Sequence, residues 1–473
     1  MYKLEVTLKQ HTPLIHFQPD QEGATLRASE VKPKLDRFIL TRLGEDSAYQ
    51  SKRDEIARAI GDEYNNLNSY EKGKFIAQGL GWLIGNGEQP ALDYKMKIIP
   101  LNNNKPDQYI IASRLSINQQ NLLVQRNYKV INFSPYFAQE KEYSQLFIRI
   151  NNNYQLRNDF RNKLSMLSKK GIKYDKIKCE IVSFNEPLLK YITDILPEFF
   201  IVENFGTRNG KGFGSFTVFS MKLNGVQQEI NNDVKSWLTK NYDFVYKKTC
   251  NGQDPFQIIQ KDYKLMKAGY NRHEGYQKSL LFLYFAKQNI RWEKRWFKRK
   301  IKEFGYTLKQ DVNGDPIDIN LKQSWDDTKC AINSDDTECP SNSDDNYYYI
   351  RALLGLAEVF DFLTNNRSVK ISVKVNCNNK LERFKSPVIF KIIDENIYLV
   401  GKDNIPIQFL HENSPTFSIF KKVNNTINQN SEIHLDPSIK IPNEFSLKDF
   451  VSFCMKIVKS HYLSLTGYTP LKK

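Results

Sequence analysis

The 473 residues include only six cysteines, Cys179, Cys250, Cys330, Cys339, Cys377 and Cys454, and no two form a CxxC pair. So sparse a set excludes a disulfide framework. Cys330 and Cys339 share an acidic stretch, but no second pair stands at zinc-finger spacing, so no metal is expected and all six read as free thiols. No run of 18 apolar residues occurs, which excludes a membrane-spanning helix. The start, Met1-Tyr2-Lys3-Leu4-Glu5, lacks the apolar stretch of a signal peptide, so a cytoplasmic protein without a membrane partner is expected. There is no G-x-x-x-x-G-K-[ST] nucleotide loop, no EF-hand spacing around Asp335-Asp336 or Asp344-Asp345, and no Ser/His/Asp constellation that chain order alone identifies. No cofactor is implied.

Positive charge, by contrast, is abundant. The formal net charge is +16 and the pI about 9.2. A soluble chain this basic repels itself when compact unless an anionic partner compensates, and nucleic acid is the commonest such partner. Hydrophobic residues make up 40% and aromatics 13% of the chain, enough for sizeable cores. The length accommodates two to four domains of roughly 100–200 residues each.

Lys3 to Leu8 alternates, with Leu4, Val6 and Leu8 on one face, and predicts a strand. Val31, Leu35, Phe38, Ile39 and Leu43 recur at helical spacing, and Pro33, tolerable only in a first turn, puts the helix start near Ser29. A polar insertion of about 45–170 follows, with a helix or two and strands near 94–99, 109–112, 128–133 and 145–150. A strand at 177–182, a helix opened by Pro187 and running to about Ile195, a glycine-rich loop at 205–215 and a strand at 215–220 complete the first half. That order is βαββαβ, so residues 1–225 read as a ferredoxin-like (RRM-like) domain. The second half, 226–473, reads as another α+β domain. It contains a basic helix at 278–302, an acidic loop at 326–345, an apolar helix at 350–363, strands at 369–375, 387–393 and 397–400, and a helix at 447–463 that opens with Ser446 and Asp449 in a capping-box variant. The fold class is therefore α+β, two ferredoxin-like domains with helical and loop insertions.

The glycine loop, Phe205-Gly206-Thr207-Arg208-Asn209-Gly210-Lys211-Gly212-Phe213-Gly214-Ser215, carries the chemistry. Its glycines permit positive φ and close backbone approach, and successive N–H groups in such a loop can bind an anion. Arg208 and Lys211 add charge, while Phe205, Phe213 and Phe216 either anchor the loop or stack on bases. It precedes a strand, whereas a dinucleotide-binding loop precedes a helix. The competing reading is a turn that only packs against the sheet. In 278–302, nine Lys or Arg stand against one acid, with Trp292, Trp296 and Phe297 interleaved. The aromatic stripe reads as core. Arg291, Arg295, Lys298 and Arg299 are the candidates for RNA-backbone contact.

A glycine-rich loop before the last strand of a ferredoxin-like domain resembles the hallmark of the RAMP superfamily of CRISPR-associated proteins. Thr12-Pro13-Leu14, followed by Gly23-Ala24-Thr25-Leu26-Arg27-Ala28-Ser29-Glu30-Val31-Lys32-Pro33-Lys34-Leu35-Asp36-Arg37-Phe38, is similar to the large RAMP subunit family of the type III-B (Cmr) effector complex. Arg383-Phe384-Lys385-Ser386-Pro387-Val388-Ile389-Phe390-Lys391 resembles a segment of that family's second domain. Pro33 stands where that family has glycine, and Asp36-Arg37-Phe38 replaces a tryptophan-containing ending.

The resemblance implies a non-catalytic subunit that contacts CRISPR guide RNA, target RNA or both near the guide's 3′ end, beside other RAMP subunits. By position, Arg27, Ser29, Lys32 and Lys34 would face RNA, and Arg208, Gly210, Lys211 and Gly212 would line phosphates. A helix N-terminus near Ser29 favours an anion on independent grounds. Two alternatives stand beside this. One is a metal-independent RAMP endonuclease for CRISPR precursor RNA, for which His16 is the candidate group, with His11 nearby; Asp20, separately, stands where RNA-cutting backbone subunits can keep an aspartate. The other is a purely structural assembly subunit.

Overall fold

The computed structural model describes residues 1–15, 25–85, 91–101, 105–112, 120–121, 124–125, 127–133, 169–272, 275–288, 290–308, 347–355, 359–366, 368–377, 386–423, 426–427, 432–435, 439–456 and 465–472. They form an α+β chain with several antiparallel sheets.

Strand β1 (Tyr2–Gln10) keeps the predicted alternation, burying Leu4, Val6, Leu8 and Gln10. After the short β2 (Leu14–Ile15), helix α1 (Ala28–Glu45) buries Val31, Leu35, Ile39, Leu40 and Leu43. Pro33 falls in the second turn, not the first, where its missing N–H leaves the Ser29 carbonyl without its helical donor. The insertion opens with α2 (Gln50–Ile60) and α3 (Ser69–Gly79). Gly44 and Gly73 let α1 and α3 touch backbone to backbone: a Cβ on Gly73 would lie 1.7 Å from the Leu40 oxygen.

β3 (Lys95–Pro100), β4 (Asp107–Ala112), β5 (Lys129–Asn132), β6 (Lys169–Lys173) and β7 (Lys176–Ser183) follow. Helix α4 (Glu186–Val202) runs through Pro197 well past the predicted end. β8 (Phe216–Leu223) and the short β9 (Val226–Gln227) close the first half. The main sheet has the order β9-β8-β1-β7-β3, all antiparallel. Its four long strands therefore stand fourth, first, third, second in chain order. A smaller sheet, β2-β6-β4-β5, sits beside it. The strand expected at 145–150 lies outside the described residues.

In the second half, α5 (Val234–Asn241) and β10 (Phe244–Thr249) lead into α6 (Pro255–Lys267). The predicted helix at 278–302 is in fact two, α7 (Leu280–Ala286) and α8 (Glu293–Glu303), separated by Arg291 and Trp292, which pair with Tyr347 and Tyr348. The predicted helix at 350–363 is a 3₁₀ turn, Ile350–Leu354, then β11 (Val359–Leu363). Gly355, at φ +98°, breaks the run with a conformation no helix accommodates. β12 (Val369–Asn376), β13 (Ile389–Ile393), β14 (Asn396–Gly401), β15 (Thr416–Val423), β16 (Ile433–Leu435), α9 (Leu447–Lys456) and β17 (Thr469–Pro470) complete the chain. Ser446 Oγ accepts from the Asp449 amide at 3.1 Å, the expected cap. β13-β14-β10-β17 form one sheet, again fourth, first, third, second in chain order among its strands; β11, β12, β15 and β16 belong to another.

One hydrophobic cluster lies within the first half; a second fills the second half and takes in Ile15, Ile111, Ile131, Phe133 and Phe213 of the first, and a small third joins Ile201 and Val202 to Leu238, Val245 and Val400. Trp292, Trp296 and Phe297 lie in the second, as the stripe predicted. Cys179, Cys250 and Cys454 are buried free thiols, Cys377 is a half-buried one, and Cys330 and Cys339 lie outside the described residues with the acidic loop.

Candidate nucleic-acid interface

The glycine loop is a staple between the two halves. Phe205 packs in the first core against Phe199, Phe200 and Phe216. Phe213 enters the second core, stacked on Phe256 with ring centroids 4.3 Å apart. Both rings are fully buried, so they anchor the loop and offer no face to a base. Gly212, at φ +87°, presses on Ile392 and Ile259: a Cβ there would lie 2.7 Å from Ile392 Cδ1. The Gly210 carbonyl accepts from the Phe390 amide at 3.0 Å, and Asn204 Nδ2 donates to the Phe390 carbonyl at 3.1 Å.

The loop's amides are largely turned inward. Gly206 N–H donates to Glu30 Oε1 (2.6 Å), Thr207 to the Ile15 carbonyl, Lys211 to Arg208, Gly212 to Asn209 and Gly214 to Pro13. An anion cradle built from those N–H groups is therefore not what this loop presents. Lys211 has its ammonium enclosed, 2.9 Å from the centre of the Tyr263 ring. Burial pushes its pKa well below the ordinary lysine value, with Lys267 and Arg208 adding repulsion. Lys211 and Gly212 thus have packing roles in place of the phosphate-lining roles expected of them. Arg208, held at φ +59°, lies over Phe133 and is half-buried, as are Asn209 and Gly210.

At the start of α1, Ser29 is exposed. Lys32 is tied to Asp36 (2.8 Å) and the Leu92 carbonyl, and Lys34 to the Asn204 carbonyl (2.9 Å) above the Phe205 ring. Both lysines brace the fold. Arg27 is the N-cap residue of α1, and its Nη2 is buried without a hydrogen-bond partner among the described residues. Thr25 Oγ1, two residues earlier, is in the same condition. A buried donor left unmatched is costly unless something outside the described residues meets it. Glu30, by holding Gly206, places this helix end against the loop.

Known proteins give the constellation its context. The family model described as the Cmr1 N-terminal domain matches residues 1–270, and that described as the Cmr1 C-terminal domain matches residues 276–465. The chain belongs to the Cmr1 family. It is thus a large RAMP subunit of the type III-B CRISPR kind. No curated protein sequence matches it. Among solved structures, Cmr1 from Pyrococcus furiosus in its apo form aligns over 86% of this chain and 89% of that one, at 11% identity and a TM-score of 0.32. A chain of the type III-B Cmr-beta structure bound to cognate target RNA and AMPPnP aligns over 86% and 97%, at 12% identity and a TM-score of 0.32.

Three features of this Cmr1-family chain were not foreseen from its sequence. Lys391, on β13, is fully buried and donates to the Glu203 carbonyl (2.9 Å) and Asn204 Oδ1 (2.8 Å); burial lowers its pKa to about 7. A lone lysine in Val388-Ile389-Phe390-Lys391-Ile392-Ile393 was the available signal. Glu293 and Arg351 form a buried ion pair, Nε to Oε1 2.9 Å. On and beside α8, Arg291 lies against Tyr347 (Nη1 to hydroxyl 3.3 Å), Arg299 stacks over the same ring and reaches Glu303, and Arg295 and Lys298 are half-buried.

The third feature is His11, where β1 meets the β13–β14 turn of the Cmr1 second half. The Asp394 amide donates to His11 Nδ1 (3.1 Å), so that nitrogen carries no proton, and Nε2–H donates to Thr217 Oγ1 (2.8 Å). Burial pulls the imidazole pKa down to about 4, against the attraction of Asp394, which also pairs with Lys9 at 2.6 Å. Above pH 6.5 the ring is neutral folded or unfolded. Below that, the unfolded chain takes up the proton and the folded chain does not until about pH 4. Stability from this site is therefore lost as pH falls from 6.5 to 4, by about 3 kcal/mol. Urea denaturation at pH 7 and pH 4.5 should show His11→Asn losing less stability than the parent over that interval; equal losses would refute the assignment.

Among the described residues no helix is long and apolar enough to cross a membrane. His16 and Asp20 lie outside the described residues.

Proposed function

We propose that this chain is a non-catalytic, RNA-binding subunit of a type III-B (Cmr) CRISPR effector complex, contacting guide RNA, target RNA or both near the guide's 3′ end, beside other RAMP subunits. Membership of the Cmr1 family supports the assembly. The observation that carries RNA contact is Arg27 Nη2, unmatched among the described residues, at the N-terminus of α1, the helix end that Glu30 ties to the glycine loop through Gly206. A helix N-terminus and a guanidinium together suit a phosphate. Arg208 and Ser29 extend this patch. Arg291, Arg295, Lys298 and Arg299 form a separate basic surface. The occupied ring of His11 weighs against its serving as a nuclease base. The shared strand order of the two main sheets supports two ferredoxin-like domains, 1–225 and 226–473.

Single-stranded RNA binding by fluorescence anisotropy tests this reading. Arg27→Ala with Arg208→Ala should weaken binding about tenfold and flatten the log-affinity versus log-salt slope by one to two. No binding at low salt, alone and in the assembled complex, would overturn it. Gly212→Val is not a test of RNA contact, because the added side chain would strike Ile392.

A further inference from the structure

Helices α1 and α4 pack on one face of the first main sheet, and among the described residues the charged side chains of the other face are exposed or half-buried. Cross-strand register places on that other face Lys3, Glu5, Thr7 and Lys9 of β1, Lys176, Lys178 and Glu180 of β7, Lys95 and Lys97 of β3, and Lys222 of β8. At its centre, Lys3 and Lys178 each contact both Glu5 and Glu180, within 2.7–3.1 Å, a neutral quartet that holds the Glu180 carboxyl down to about 2. Around it, Lys95, Lys97, Lys176 and Lys222 have no acidic partner among the described residues.

The register supplies a second observation. Thr7 pairs with Ser220 but Leu8 pairs with Val218, so Phe219 is the extra residue of a β-bulge. Its ring is 52% exposed, with the Lys176 ammonium 3.6 Å from its centre. A bulge that aims an aromatic ring into solvent has no packing purpose, and bulges of this kind re-aim side chains at binding surfaces. Phe184, just past the end of β7, is a further exposed ring on this half. Same-face residues two apart on a strand, such as Lys95 and Lys97, are about 6.6 Å apart, comparable to the step between phosphates of an extended single strand.

We propose that this sheet face is a second nucleic-acid surface, taking extended single-stranded RNA with its phosphates on Lys95, Lys97, Lys176 and Lys222 and a base stacked on Phe219. Lysine charge supplies the salt-dependent attraction, and an aromatic platform accepts any base. Its surface is separate from the α1–loop patch, though it rests on the chain binding RNA at all.

Three proteins settle it by anisotropy with a uridine 15-mer: the full chain, Phe219→Ser with Lys95→Glu and Lys97→Glu, and Arg27→Ala with Arg208→Ala. Circular dichroism melts serve to check that the variants fold. The sheet-face variant should bind about tenfold more weakly with a flatter salt slope, and 4-thiouridine crosslinking should label the peptide containing Phe219. If the parent and the Arg27/Arg208 variant behave as proposed above while the sheet-face variant binds like the parent, this inference alone fails. If the parent binds no RNA, both fail. Unchanged RNA binding with lost association to a neighbouring subunit would make the face a protein dock and overturn the proposal.

Discussion

Gly214→Ala should lower the unfolding free energy of the chain by about 3–5 kcal/mol, the range reached when a special backbone conformation and close packing fail together. Gly214 sits at φ +64°, and a Cβ there would lie 1.9 Å from the Phe205 oxygen. That contact cannot yield easily, because the Phe205 amide donates to the Gly214 carbonyl at 2.9 Å and Asn204 bridges Ser215 across the same pair of segments. Separating them would unseat Phe205 from the first core and Phe213 from the second. The matched control is Gly225→Ala. Gly225 also has positive φ, +83°, but nothing lies within 4 Å of its Cβ position, so only the backbone term of about 1 kcal/mol applies. Urea titration of both variants reads the difference directly. A Gly214 variant no less stable than the Gly225 variant would show that the loop does not clamp the two halves.

The second large effect is expected at Glu293→Ala, about 3–5 kcal/mol, the cost of stranding a buried charge. Glu293, at the first position of α8, is wholly buried and faces Arg351 at 2.9 Å. Lys267 is close enough that Glu293 steadies its charge, while burial and Arg351 drive its pKa down to about 7. Removing the carboxylate strands the Arg351 charge in the interior and drives the Lys267 pKa lower still. Glu303→Ala, at the exposed end of the same helix, removes pairs to Lys300 and Arg299 and should cost at most about 1 kcal/mol. Equal losses for the two variants in chemical denaturation would show that Glu293 does not carry this cluster.

What the sequence made legible was local. Alternation from Lys3 to Leu8 located β1, and the apolar spacing from Val31 to Leu43 located α1, because one buried face writes its period directly into the residues. The glycine loop was visible for the same reason, since positive φ demands glycine at Gly206, Gly212 and Gly214. Its destination was not visible. Ile392 and Ile259, which enclose Gly212, lie far along the chain, and nothing in the loop distinguishes a glycine that admits a phosphate from one that admits an isoleucine. Arg27 was correctly placed at a helix start, whereas Lys32 and Lys34, beyond the i, i+4 partners Asp36 and Glu30 that spacing offers, found the distant Leu92 and Asn204 carbonyls, which it does not reveal. The helix read at 350–363 failed because Gly355, at φ +98°, ends the turn Ile350–Leu354, and Val359–Leu363 alternates as a strand does. The single helix read at 278–302 missed a break that carries neither glycine nor proline.

The backbone contact between Gly210 and Phe390 has a consequence for solubility. β13 is the outermost strand of its sheet, and Phe390 meets the first half through both its N–H and its C=O. A bare strand border of that kind, rich in isoleucine and phenylalanine, is a template on which like chains add and precipitate. The glycine loop caps it, so the two halves of this protein keep one another from aggregating as well as from drifting apart.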